Sequence, residues 1–98
     1  MFHFEWDDEK SKANLKKHGI SFLEASSVFF DENARILDDP EHSGDEERFI
    51  LLGFSKEHKM LVVCHCYREK ELIVRIISAR KATKRESLSY WSFYEKRI

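Results

Sequence analysis

The stretch Glu71–Glu86, ELIVRIISARKATKRE, runs from an apolar strand straight into a basic helix start. Leu72, Val74 and Ile76 take one face of a period-2 pattern, and Ile73, Arg75, Ile77 and Ala79 take the other. The first set is the cleaner apolar one and marks the expected core side. Arg75 is a charge inside the run, and Arg80, Lys81, Lys84 and Arg85 follow it closely. Thr83 and Glu86 have capping-box spacing, so a helix is expected to begin there. Free N–H groups and the positive end of the helix dipole, among these cations, make a phosphate-binding corner. The competing reading is a solvated helix start with Arg75 reaching along a strand edge.

Working outward, Met60–Arg68 and Arg48–Ser55 are further apolar strands, and the linkers between the three are short. Short linkers force antiparallel neighbours. Ala34–Leu37 adds a short strand, and the alternation of Phe2, Phe4 and Trp6 adds another at the start. Residues 9–18 read as a Lys-rich helix closed by Gly19, with a thin apolar face of Ala13 and Leu15. Ser21 and Glu24 form a second capping box, with Ile20 placed to pack on Ala25. Phe22, Ala25, Ser26 and Phe29 then follow helical spacing, widened by Leu23, Val28 and Phe30. A helix over 84–97 carries Leu88, Trp91, Ser92 and Glu95 on one stripe and Tyr90, Tyr94 and Arg97 on another. The expected fold is α+β: an antiparallel β-meander with two N-terminal helices and one C-terminal helix, in a single domain over 1–98.

The net charge is −1, but residues 1–49 carry −7 and residues 50–98 carry +6. Such asymmetry points to a polyanion partner met through a local basic patch, or to self-association. The apolar runs are too short to span a membrane, and the first ten residues lack the order of a signal peptide. A cytoplasmic location is expected. Cys64 and Cys66 share a strand face and His65 faces away, so this triplet does not close on one metal. The acids from Asp38 to Glu47 lack the order of a calcium loop. Neither metal nor cofactor is expected.

If Cys64 and Cys66 join the core side with Val74 and Ile76, then His65, Tyr67 and Arg75 share the open face, beside Arg80 and Lys81. Such a set suits metal-free RNA cleavage. A histidine has the pKa to take a proton from a ribose 2′-hydroxyl, and guanidinium groups stabilise charge gathering on the phosphate. Singly, each residue has a structural reading: His65 bonded to backbone, Tyr67 on a rim, Arg75 paired with Glu47 or Glu71.

The chain resembles the BrnT family of small bacterial toxins. The resemblance rests on FEWD at Phe4–Asp7, ANLKKHGISFLEASSVF at Ala13–Phe29, DPEHS at Asp39–Ser43, EERFILLGFS at Glu46–Ser55 and VRIISARKATKRE at Val74–Glu86. It implies a RelE-like ribonuclease fold with helices on one face of an antiparallel sheet. It also implies a type II toxin that cleaves RNA and arrests translation and growth. A BrnA-type antitoxin with a ribbon-helix-helix DNA-binding part would neutralise it, in a heterotetramer that reaches operator DNA through the antitoxin. By position, Arg80 and Arg75 are the first catalytic candidates, then His65, then Glu47 to orient an arginine or take a proton. Tyr67, Lys81, Lys84 and Arg85 are the expected RNA-holding residues. The alternative is a non-catalytic interaction module acting in operon regulation.

Overall fold

A computed structural model describes residues 3–38, 47–70 and 72–97. Its elements run β1 (His3–Glu5), α1 (Asp8–His18), α2 (Phe22–Ser27), a 3-10 turn (Val28–Phe30), β2 (Arg35–Asp38), β3 (Phe49–Phe54), β4 (Met60–Arg68), β5 (Ile73–Lys81) and α3 (Lys84–Arg97). The five strands form one sheet in the order β1-β5-β4-β3-β2.

The meander from β2 to β5 is antiparallel, and the short linkers require it for β3, β4 and β5. The sheet as a whole is mixed, because β1 pairs parallel to β5. This corrects the expected all-antiparallel sheet. The physical reason is the path of the chain: α1 and α2 cross the sheet after β1, and the meander then returns strand by strand to β1's side. A parallel neighbour requires such a crossover.

The helices also do not share one face. Ile20, Phe22, Ala25 and Val28 pack with Leu51, Leu61, Val63, Val74, Ile76 and Ala79. On the other face Tyr90 of α3 packs with Leu52 and Val62, flanked by Ile50, Phe54 and Met60. Leu23 and Phe30, expected to widen the α2 stripe, are exposed, and the helix tightens to a 3-10 turn at Val28. On α3 it is Tyr90 that is buried, while Leu88 and Trp91 are exposed.

The capping signals hold in detail. Asp7 accepts from the Lys10 N–H, Ser21 from the Glu24 N–H, and Gly19 closes α1 in the left-handed region at φ 73°. The buried residue of α1 is neither Ala13 nor Leu15 but Asn14. Its side-chain amide donates to the carbonyls of Ile20 (2.9 Å) and Ala79 (2.8 Å) and accepts from the Ala79 N–H (3.1 Å). It thus stands in for a strand along the stretch of β5 that β1 is too short to cover.

Beside that clamp β5 carries a bulge. Cys64 pairs with Ser78 and His65 with Ile76, so Ile77 is an extra residue. The bulge flips the alternation. Val74, Ile76 and Ala79 all reach the face covered by α1 and α2, and Arg75, Ser78 and Arg80 all reach the face that carries α3.

Candidate active site

The same register settles where β4 points. Leu61, Val63, His65 and Tyr67 pair across from Lys81, Ala79, Ile76 and Val74, placing His65 and Tyr67 on the α1/α2 side. Cys64 and Cys66 pair across from Ser78 and Arg75, on the opposite side. The expected grouping of His65 and Tyr67 with Arg75 is therefore reversed. The two cysteines do share a face, but it is the one with Arg75.

His65 is fully enclosed, its ring edge-on to Phe29 (4.8 Å) and Tyr67 (5.2 Å) and tilted against Phe49 (6.2 Å). Its Nδ1 lies 3.2 Å from the Val63 carbonyl, which only accepts, so Nδ1 carries the hydrogen. Nε2 is then free to accept from the Tyr67 hydroxyl at 3.3 Å. Burial lowers the His65 pKa, against the upward pull of the Val63 carbonyl. A phosphate on the far side of the sheet is out of its reach. Tyr67, half-buried against Phe49 (5.6 Å), belongs to the same aromatic cluster.

Arg75 is half-buried, and Glu5 of β1 holds it. The two are register partners, and Arg75 Nη1 donates to Glu5 Oε2 at 2.7 Å. Arg68 Nε lies 3.6 Å from the same oxygen. The hydrogen bond to Glu5 raises the Arg75 pKa above its usual value, and burial opposes it. Neither expected partner takes this place: Glu47 is exposed at the entry to β3 without an ion pair to Arg75, and Glu71 lies outside the described residues. The acids at 39–46 lie outside them too.

Arg80 makes a two-pronged contact with Glu86 of α3, Nη1 to Oε1 at 2.8 Å and Nη2 to Oε2 at 2.9 Å. Glu86 is also the capping-box acid: it accepts from the Thr83 N–H (2.8 Å), and its own N–H donates to the Thr83 hydroxyl (3.1 Å). Arg80 foremost, then these backbone contacts, hold the Glu86 carboxyl down at about 2. Lys81, Lys84 and Arg85 are exposed around this corner.

Arg75 and Arg80 share a face but not a spot. Five residues of extended chain with one bulge separate their Cα atoms by roughly 15 Å. Between them lie Ser78, exposed, and Cys64, half-buried, with Ile50 beside Cys64 on β3. The face thus has an arginine at each end and a small-residue floor between. Arg48, at the head of β3, has a buried Nε with no hydrogen-bond partner among the described residues. Glu5 is the contact that sequence reasoning missed. Its signal was faint: a polar position in a short alternating strand, with nothing to say which strand it would meet.

An α+β chain with a mixed sheet and a basic corner where the last strand enters a helix is the frame these observations define. A family model described as ribonuclease toxin BrnT of type II toxin–antitoxin systems matches residues 6–86. The chain belongs to that family. The crystal structure of the Brucella abortus ribonuclease toxin BrnT has the same fold, with a TM-score of 0.62 at 20% identity, covering 86% of this chain and 99% of that one. No curated protein matches the chain. No helix among the described residues is long and apolar enough to cross a membrane.

Proposed function

We propose that this chain is a metal-independent endoribonuclease whose substrate lies across the half-open sheet face between Arg75 and Arg80. The observation that supports it most is that floor: small residues on β4 and β5 with a fixed guanidinium at each end. Arg75 meets the scissile phosphate and stabilises the charge that gathers as a 2′-hydroxyl attacks. Arg80 meets a neighbouring phosphate, and Lys81, Lys84 and Arg85 hold the backbone beyond it. The distance between the arginines argues against both acting on one phosphorus. His65 serves as scaffold: with Tyr67 and Phe29 it locks β4 to the 3-10 turn.

Cleavage of cellular RNA would arrest translation and growth in the cytoplasm. A BrnA-type ribbon-helix-helix antitoxin, in a heterotetramer, would neutralise the toxin by covering this face and would supply the contact with operator DNA. Expression without a partner tests the reading. Growth should stop and RNA should fragment, and cleavage by the purified protein should persist in EDTA. Intact RNA and normal growth would overturn the reading, and loss of cleavage in EDTA would overturn its metal independence.

A further inference from the structure

With His65 on the covered face, the open face needs another group to receive the 2′-hydroxyl proton. Glu5 is the carboxylate bonded to the arginine at that end. Its side chain is 35% exposed, enough for a substrate to reach, and its Oε2 takes both Arg75 and Arg68. Its other oxygen has no ion pair among the described residues. The register sets this geometry: Glu5 pairs with Arg75, which pairs with Cys66 across the next ladder. Arg75 from β5 and Arg68 from β4 contact the carboxylate, Cys66 and Asp7 act on Arg75, and His3 lies two residues back on the same strand. Glu5 also lies one residue before the segment that the family model matches.

We propose that Glu5 is the proton acceptor of the cleavage step, with Arg75, which it grips, as the ligand of the scissile phosphate. This rests on the ribonuclease reading above. The 2′-hydroxyl gives its proton to Glu5 as its oxygen bonds to phosphorus. The bond from phosphorus to the 5′-oxygen breaks, and that oxygen takes a proton from water. The products are a 2′,3′-cyclic phosphate and a 5′-hydroxyl end. The hydroxide left from water then removes the proton from Glu5. The ion pair gives the acceptor a fixed position, and the same arginine joins proton removal to charge stabilisation at phosphorus.

The test is single-turnover cleavage of an RNA transcript from about pH 4 to pH 8, for wild type, Glu5→Gln and Glu5→Asp. Binding of a 2′-O-methyl oligonucleotide, which cannot be cleaved, is measured alongside. Glu5→Gln should lower the rate at neutral pH by about a hundredfold or more. It should bind the oligonucleotide within about threefold of wild type and lose the acid limb of the pH profile, and Glu5→Asp should recover part of the rate. A Glu5→Gln rate within about threefold of wild type would overturn the assignment. So would a slower variant that keeps the acid limb, since Glu5 would then only position Arg75. If Glu5→Gln does not fold, Glu5→Asp decides: a folded Asp variant with no cleavage overturns it. Wild-type protein that leaves RNA intact removes the ribonuclease reading itself, and this proposal with it.

Discussion

Burial favours the neutral form of His65: its ring nitrogens meet the Val63 carbonyl and the Tyr67 hydroxyl, with three aromatic rings around them. Folding therefore favours its unprotonated form. The unfolded chain binds the proton near the ordinary value of 6.5 and the folded chain only below it. The stability His65 contributes is present above about pH 6.5 and is lost as pH falls through its lowered value. Thermal unfolding of wild type from pH 7.5 to 5.5 should show this fall, and His65→Phe should show less of it. Truncation to Ala should cost about 2–4 kcal/mol in urea unfolding, as for other buried rings. Glu86 works in a separate and more acidic window. Its carboxyl, held at about 2, favours folding above about pH 4.5, and that contribution is lost as pH falls through about 2. Its partner Arg80 is 40% exposed, so solvent screening reduces the effect.

At the level of elements, the bulge at Ile77 and the Asn14 clamp decide which side chains meet. The strands, caps and linkers were legible in the sequence because each has a local cause: alternation, a side-chain acceptor at a helix start, a glycine at its end. The two faces were not. One extra residue in β5 moves Ala79 from Arg75's side to the core and brings Arg80 onto Arg75's face, at the far end of the strand. No local pattern marks where a ladder will slip. The pairing of β1 with β5 is likewise non-local, which hid Glu5 as the partner of Arg75. Asn14 was hidden because its partners are 6 and 65 residues away. Its replacement by Ala takes the Asn14 partner from the Ala79 N–H and from the carbonyls of Ile20 and Ala79, at a cost of about 2–3 kcal/mol. Urea unfolding measures that, and hydrogen exchange should show the loss at Ala79. Thr83→Ala removes a cap and should cost about 1 kcal/mol. It should also loosen Glu86, and through it Arg80, lowering RNA affinity without changing the acid limb of the rate.

Over the whole molecule, the neutral total of −1 conceals an acidic half and a basic half, and the basic half supplies β4, β5 and α3. The basic ends of β5 and α3 would draw in RNA, and binding should weaken steeply as salt rises. On the proposed reading, chemistry happens on the Arg75 face and His65 lies outside it. The most direct measurement is single-turnover RNA cleavage in EDTA by wild type, Arg75→Ala and His65→Phe, each checked for folding by circular dichroism. Arg75→Ala should lose about a hundredfold or more, and folded His65→Phe should cleave within about threefold of wild type. Full activity in Arg75→Ala, or its disappearance in a folded His65→Phe, would contradict it.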